Sequence, residues 1–434
     1  MAILNMFQPI WTVIMNWWWL LLPVVLHRPF LFLWRWWRVE LWLAEQKYVL
    51  LELKIPKDVL QPLKAMDQVF SGLWGSIYDP PDWWETWIEG KIQHAYGLEI
   101  VCINGEPHFF IKCPQGIRKT VEANIYAQYP NVEISQHDDY TKYVPQDIPN
   151  KNWEMWGCDY TLLSNDVYPI KTYASFFEEK PDAPMEEKRL DPLSSLLEGM
   201  GKLGQGENLW VQFLATPAIN DDAGTHYFDR GKALVDKLVK RPEKPMAKPI
   251  IFDIFDIFAT GKPPSTEQRK EEIIPPEMKL TPGERTIVSA IEEKIAKRCY
   301  SVGVRFIYLA KREVYSGPAK TIPLSFFQQF STTNLNAMVP NAKIGTMTKV
   351  KKHWFVPWNY LIPRRVYVRK RNLFKKYVRR FNALFPDPGG NFILSTEELA
   401  TLFHFPGQSV TSAPFMERVE SKKGEAPSGL PVEE

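Results

Sequence analysis

The first 26 residues constrain this chain more than any other segment, because they contain no charged side chain. The run reads MAILNMFQPIWTVIMNWWWLLLPVVL. At about 1.5 Å per residue, a helix of this length covers the roughly 30 Å hydrocarbon core of a bilayer. A signal peptide fits less well, since no basic region precedes the run and no small-residue cleavage site follows it. We therefore predict a membrane anchor over residues 1–47.

Charged residues give this anchor a direction. Arg28, Arg35, Arg38 and Lys47 follow the apolar run closely, so the positive-inside rule keeps the following body in the cytoplasm. We expect a single-pass protein of the cytoplasmic membrane, with the N-terminus outside and the C-terminus inside. The residues predicted to contact the membrane are Trp17, Trp18, Trp19, Trp34, Trp36 and Trp37.

Two features of the anchor oppose a simple span. The three consecutive tryptophans would lie near mid-membrane, although Trp prefers the interface, and Pro23 interrupts the helix. One alternative is a helix lying in the plane of the membrane, with Arg35, Arg38 and Glu40 toward the headgroups. A helix buried within protein is another.

From Tyr48 onward, alternating strands and helical patterns predict an α+β body. The order β-α-β-β-α-β over residues 48–140 is that of the ferredoxin-like split arrangement. Its central Asn-Gly pair is a two-residue hairpin turn, which places Cys102 opposite Pro107. We expect this cysteine and the other three to be reduced packing residues.

A second α+β unit, also expected to be ferredoxin-like, is predicted for residues 207–406. A connector without recognisable chemistry precedes it over 141–206. A proline-rich insertion interrupts the unit over 241–280, and a flexible polar tail follows over 407–434.

Local signals within the second unit predict where helices begin. Thr281 with Glu284, and Ser395 with Glu398, have the spacing of capping boxes. A further helix is expected near Leu324–Met338.

The strongest charge feature is a basic segment over residues 343–385. No Asp or Glu occurs from Val314 to Pro386, whereas 14 Lys and Arg do. Within it, Leu373, Phe374, Tyr377, Phe381 and Leu384 recur on one face of a cationic amphipathic helix. The predicted lipid or nucleic-acid contacts are Arg364, Arg365, Arg369, Lys370, Arg371, Lys375, Lys376, Arg379 and Arg380.

Three kinds of partner would explain such a helix: anionic lipid headgroups, nucleic-acid phosphates or an acidic protein surface. The plainer interpretation is a solvated helix that packs by its apolar face. The predicted anchor holds the body at a membrane, which favours lipid as the partner. The sequence does not decide between lipid and DNA or RNA.

Catalytic motifs are absent from the sequence. No Gly-Lys pair has the spacing of a phosphate-binding loop, and no HExxH, GxSxG or GxGxxG motif occurs. The nearest thing to a cluster, His137 with Asp138 and Asp139, is interpreted as a solvated turn. We predict neither enzymatic activity nor a cofactor or metal site.

Several phrases together resemble a known family. They are LLELKIPKDVLQPLKAMDQVF, LEIVCINGEPHFFIKCP, VEANIYAQYPNVEI, PQDIPN, IIPPEMKLTPGER, FPDPGGNFILSTEELATLFHFPG and ERVESKKGEAPSGLPVEE. The chain resembles a membrane-anchored module of unknown function from small-genome, uncultured bacteria. In that family the module stands alone or precedes a conjugative-coupling-type ATPase of the type IV secretion and DNA-pump superfamily.

The resemblance implies a non-enzymatic scaffold that tethers a hexameric, DNA- or protein-moving motor to the membrane. The expected partners are membrane lipid, a separate or downstream secretion-type ATPase, DNA and further copies of the chain. It supplies no catalytic residues. The alternative hypothesis is a peripheral nucleic-acid-binding protein that uses the basic helix over 364–380.

Overall fold

The computed structural model describes residues 16, 21–56, 61–176, 191–218, 226–239, 280–342, 347–350, 352, 356–380 and 391–407. Several sequence-based predictions fall outside these ranges. They concern Trp17, Trp18 and Trp19, nearly all of the insertion, Phe381 and Leu384 of the basic segment, and the tail from residue 408.

The described residues form a mixed α+β structure built on an antiparallel sheet. Its helices are α1 (Leu21–Glu45), α2 (Lys64–Ser76), α3 (Arg118–Gln128), α4 (Ser194–Gly201), α5 (Tyr227–Val239), α6 (Pro282–Ala296), α7 (Thr321–Gln328), α8 (Ile362–Arg379) and α9 (Thr396–Leu402). Its strands are β1 (Tyr48–Lys54), β2 (Tyr96–Ile103), β3 (Glu106–Pro114), β4 (Glu133–His137), β5 (Trp153–Leu162), β6 (Glu207–Pro217), β7 (Cys299–Lys311), β8 (Met338–Pro340) and β9 (Asn391–Ser395).

One sheet joins both halves of the described chain, in the order β4-β1-β3-β2-β6-β7-β5-β8. The long strand β7 has two partners along its second edge. Its first residues pair with β9, and its later residues pair with β5. The halves predicted as separate units therefore share a sheet, because β2 pairs directly with β6.

The first half follows the predicted element order, and its four strands take the order β4-β1-β3-β2. The Asn-Gly hairpin is confirmed, since Asn104 and Gly105 have φ angles of 53° and 94°. Both values lie in the left-handed region that this turn type requires. Cys102 lies opposite Pro107, as the turn predicts.

The second half differs from the predicted split arrangement, because β6 and β7 are immediate neighbours. A split β-α-β arrangement would place another strand between them. The connector also contains a strand that the sequence analysis did not assign, β5. Its sequence WEMWGCDYTL shows little alternation because both of its faces are covered, so the usual signal of a half-exposed strand is weak.

The helix expected near Leu324–Met338 is shorter than predicted. It covers Thr321–Gln328, and Met338 instead begins β8. The intervening residues are rich in Ser, Thr and Asn, which compete with helix formation by bonding the backbone locally. The Asn336 amide oxygen does so by accepting from the backbone N–H of Ala337, and it also accepts from the backbone N–H of Ser164 on a distant segment. Both predicted capping boxes are confirmed.

Apolar side chains cover both faces of the sheet. Along β2, for example, Ile100 belongs to the larger core, whereas Val101 packs in a second cluster on the opposite face. Helices α2, α3, α4, α7 and α9 supply residues to the larger core. The second cluster is closed by α8, through Leu373, Phe374 and Tyr377.

Candidate functional site

Helix α1 packs against the body through its C-terminal half. The indole N–H of Trp34 donates to the carbonyl of Trp87, at 2.8 Å, and the Arg35 guanidinium lies over the Trp87 ring. Val39 is buried. Trp42 contacts the ring of His94, at 5.1 Å between centroids.

The opposite side of α1 is exposed and apolar. Its exposed large side chains are 38% to 66% accessible, and they are Leu22, Val25, Leu26, Phe30, Leu33, Trp36, Trp37 and Leu41. An apolar patch of this extent on a protein surface marks a site of contact with another protein or with a membrane. Among the described helices, none is both long and apolar enough to cross a membrane.

The two arginines in the C-terminal half of α1 lie in different surroundings. The in-plane alternative turns both Arg35 and Arg38 toward headgroups. Arg35 lies over Trp87, toward the body, whereas the Arg38 guanidinium lies over the ring of the exposed Trp37, at 5.8 Å. Of the two cations, Arg38 therefore borders the exposed apolar side and Arg35 does not. Trp36 and Trp37 lie on the exposed side, whereas Trp34 is half-buried.

Helix α8, the predicted cationic helix, packs with its apolar side inward. Leu373, Phe374 and Tyr377 are buried against the sheet, as the periodicity predicts. Beneath them lies a row of polar residues that directly oppose one another on neighbouring strands: Glu99 on β2, Gln212 on β6, Arg305 on β7 and Asp159 on β5. All four are at most 2% exposed.

This polar row binds the C-terminal end of α8. Arg305 Nη1 donates to the carbonyl of Lys376, at 2.8 Å, and Gln212 Nε2 donates to the carbonyl of Tyr377, at 3.3 Å. Both carbonyls belong to the last turn of the helix, where the usual N–H donor four residues later is missing; the Tyr377 carbonyl also accepts from the backbone N–H of Arg380, at 3.0 Å. A cation at this end also interacts favourably with the helix dipole. The row thus caps α8 from within the protein.

Arg380 completes the attachment. Its guanidinium binds the Glu99 carboxylate at 2.7 Å and the Asp139 carboxylate at 2.6 Å, and its side chain is 2% exposed. The residue adopts a left-handed conformation, with φ 52° and ψ 46°, at the position after the helix that Gly usually occupies. The ion pairs explain why an Arg is found there. They also correct the interpretation of Asp139, which is not part of a solvated turn.

The charges beside Arg380 have shifted pKa values. Burial alone would raise the pKa of the Asp139 carboxyl, but the hydrogen bonds and charge of Arg380, together with the hydrogen bonds from Thr141, outweigh it and leave this pKa lowered. Burial, with the charge of Arg380 in addition, lowers the pKa of Lys112 to about 8. The Lys112 ammonium lies 4.5 Å from the centre of the Tyr48 ring.

The nine cations predicted to bind lipid or nucleic acid divide into two groups by exposure. Five are buried or half-buried and bind groups of the protein itself: Lys370 binds Glu154, Lys376 binds Asp159, Arg369 and Arg371 donate to backbone carbonyls, and Arg380 binds Glu99 and Asp139. The exposed members are Arg364, Arg365, Lys375 and Arg379. Of these, Arg379 reaches Glu40 of α1 at 3.3 Å.

The polar row was missed by the sequence analysis, although a signal exists. Each of four strands carries one polar residue within an otherwise apolar run, for example Glu99 in GLEIVCI and Arg305 in VGVRFIYLA. A strand that is apolar on both faces is covered on both faces. An isolated charge inside such a strand must then find a buried partner, here the end of α8.

The described residues offer little that resembles a small-molecule or metal site. No group of three or more His, Cys, Asp or Glu side chains within them could hold a metal ion. A cavity beside Glu52 and His108 has a volume of about 10 Å³, which is room for one water molecule. The two surfaces described above are thus the candidate functional regions of the part of the chain that the structure describes.

Comparison with known proteins adds no further assignment. No protein-family model, curated protein or solved structure matches this chain.

Proposed function

We propose that this protein is a non-enzymatic, membrane-anchored assembly module of a type IV secretion-like translocation apparatus. It is held at the cytoplasmic face of the cytoplasmic membrane with its N-terminus outside. The observation that carries the membrane part is the exposed apolar side of α1. The motor part rests on the resemblance of the sequence to modules that precede secretion-type ATPases.

The first part of α1 supports lipid as the partner of this side. Residues 21–33 include only two polar side chains, His27 and Arg28, and they cover about 20 Å of helix. A helix that is apolar on nearly every side is stable only when something apolar surrounds it. The uncharged run preceding it in the sequence extends the same composition toward the N-terminus.

We also propose that residues 48–140 form a ferredoxin-like unit within the larger sheet. The element order and the strand order β4-β1-β3-β2 support this assignment. The adjacency of β6 and β7 gives no such support for the second half. The proposal is accordingly one ferredoxin-like unit extended by further strands, not two units.

Membrane fractionation of the full chain tests the anchor. We expect the wild-type chain in the membrane fraction, and retention after alkaline extraction indicates a span, whereas release indicates an in-plane helix. A triple variant, Leu26→Ser, Phe30→Ser and Leu33→Ser, should weaken membrane association. The matched control replaces Tyr143, Leu163 and Phe228 by Ser; these residues are exposed elsewhere on the body, so membrane association should not change. Recovery of the wild-type chain in the soluble fraction contradicts the proposal.

Co-purification from gently solubilised membranes tests the motor part. We expect an ATPase with a Walker A motif, or another secretion component, to be recovered with the full chain. Repeated purifications that recover neither would contradict the assembly role, even if the membrane anchor were established.

A second candidate function is nucleic-acid binding by the outer side of α8. The observation that favours it is the exposure of Arg364, Arg365 and Lys375 on a helix that contains no acidic residue. Binding of short DNA or RNA duplexes across a salt series measures the number of phosphate contacts. Reversing these three charges to Glu should abolish binding and its salt dependence, whereas reversing the exposed Lys119, Lys142 and Lys151 should not. No binding at low salt removes this candidate.

A further inference from the structure

The turn between α2 and β2, which contacts α1, is held together by hydrogen bonds and ion pairs among its own residues. Asp82 and Glu85 bond each other's backbone N–H groups with their carboxylates, at 2.8 and 3.1 Å. The Lys91 ammonium binds both Glu85, at 2.7 Å, and Asp79, at 2.9 Å. Between these contacts, Glu85–Glu89 forms a single π-helical turn, a rare conformation that often occurs at functional sites.

This ordered turn directs two tryptophans into solvent. Trp83 is 69% exposed and Trp84 is 57% exposed. The third tryptophan of the same turn, Trp87, is half-buried against α1. Exposing two large neighbouring aromatic side chains to water is unfavourable in free energy. Packing within the described part of the protein does not account for it.

The turn is fixed directly to α1. Besides the Trp34 bond to Trp87, Gly90 lies so close to the helix that a Cβ atom there would be 2.3 Å from the Arg38 backbone. Gly90 also has a φ of 76°, which side chains disfavour. The turn that carries Trp83 and Trp84 is therefore fixed against the stretch of α1 from Trp34 to Arg38, which also carries the exposed Trp36 and Trp37.

We infer that Trp83 and Trp84 form a second membrane contact, at the interface of the bilayer that α1 enters. This inference rests on the proposed membrane anchor and deepens it. Tryptophan is enriched at the level of the lipid headgroups, and two separate segments of this chain bring tryptophans together where the helix meets the body. Contact of Trp83 and Trp84 with the lipid would fix the orientation of the body relative to the membrane.

The charges of the turn indicate which lipids it contacts. The turn carries four carboxylates, on Asp79, Asp82, Glu85 and Glu89, and one cation, Lys91, so its net charge is negative. We therefore expect Trp83 and Trp84 to enter uncharged phosphatidylcholine vesicles at least as readily as vesicles that contain anionic lipid. The exposed cations of α8 would instead require anionic lipid.

Single cysteines carrying an environment-sensitive fluorophore test the inference in the full chain. The native cysteines do not interfere, since all four are buried and burial raises the pKa of the Cys102, Cys113 and Cys299 thiols to about 12. Labels are placed at Trp83→Cys, at Leu33→Cys on the exposed side of α1, and at Leu163→Cys. Leu163 is 71% exposed and lies beside β8, at the opposite end of the sheet from β4 and β1.

Quenching by phosphatidylcholine with a shallow nitroxide is then measured in phosphatidylcholine vesicles. We expect strong quenching at positions 33 and 83 and at most a tenth of that effect at 163, with unchanged denaturation midpoints. Quenching at 33 with none at 83 overturns the inference but leaves the anchor intact. Absence of quenching at 33 overturns the anchor itself. Equal quenching at 163 also overturns the inference, because the contact would not be specific to the turn.

Discussion

Helices α1 and α8 look alike in the sequence, since both combine an apolar stripe with Arg and aromatic residues, but they use these stripes in opposite ways. Helix α8 buries its apolar stripe and places Lys376 and the following Arg380 over a polar row in the sheet. Helix α1 turns Arg35 toward the body and exposes Leu33. The difference shows that an amphipathic pattern gives the two faces of a helix, but the surface beneath it determines which face is buried.

The largest effect should come from removing the guanidinium that attaches α8 to the sheet. Replacing Arg380 by Met leaves the Glu99 carboxylate buried without its cation, which we expect to lower the free energy of unfolding by about 3–5 kcal/mol. Chemical denaturation of the full chain in mild detergent measures this change. The control, Lys375→Ala on the exposed side of the same helix, should change stability by less than about 0.5 kcal/mol. Equal effects of the two variants would show that the buried pair does not hold the helix.

The same leucine-to-alanine substitution in each helix compares the two stripes directly. Leu373→Ala removes a fully buried side chain, so we expect a loss of about 2–5 kcal/mol. Leu33→Ala changes an exposed side chain and should alter the stability of the body by less than about 0.5 kcal/mol, while weakening vesicle binding. If Leu33→Ala destabilised the detergent-solubilised protein as much as Leu373→Ala, the exposed side of α1 would have to pack against protein.

The pH dependence of the free energy of unfolding tests the lowered pKa of Lys112. Lys112 gives up its proton at a pKa of about 8 when folded, compared with 10.5 ordinarily, mainly because of burial and then because of Arg380. Between these values the unfolded chain binds more protons, so the contribution of Lys112 to stability rises with pH over this window. Lys112→Met should remove that rise. We expect the stability difference, wild type minus variant, to grow from pH 8 to pH 10.5 in parallel denaturation curves; a flat difference contradicts the shift.

The smallest effect is expected at the contact between the two helices. Arg379 and Glu40 are 68% and 41% exposed, so water screens their attraction. A double-mutant cycle with Arg379→Ala and Glu40→Ala should give a coupling free energy of about 1 kcal/mol or less, declining with added salt. A coupling of several kcal/mol would indicate that this pair, and not the Trp34 contact with Trp87, fixes α1 to the body.

Much of the local structure could be predicted from the sequence, because its causes are local. The Asn104-Gly105 turn requires left-handed backbone, which these residue types tolerate. The capping boxes at Thr281 and Ser395 depend on side chains three residues apart. The buried side of α8 follows from the spacing of Leu373, Phe374 and Tyr377. In each case the interacting groups are close neighbours along the chain.

The candidate site was predicted only in part. The sequence identified the basic helix, but it gave no means to separate Arg380, which is buried against Glu99 some 280 residues away, from the exposed Lys375. Strand β5 was missed because its two covered faces remove the alternation that marks a strand. The exposed Trp83 and Trp84 could not be told from core tryptophans, since the same residue types serve both roles.

The sequence by itself determined that this chain has an uncharged N-terminal run, α+β periodicity, a hairpin, two capping boxes and a cationic amphipathic helix. Only the tertiary structure decided that one sheet joins both halves, that the row from Glu99 to Asp159 caps α8, and that α1 keeps its apolar side exposed. The physical reason is that burial and ion pairing depend on which distant segments meet. Those meetings are set by the packing of the whole sheet and not by the spacing of residues along any one element.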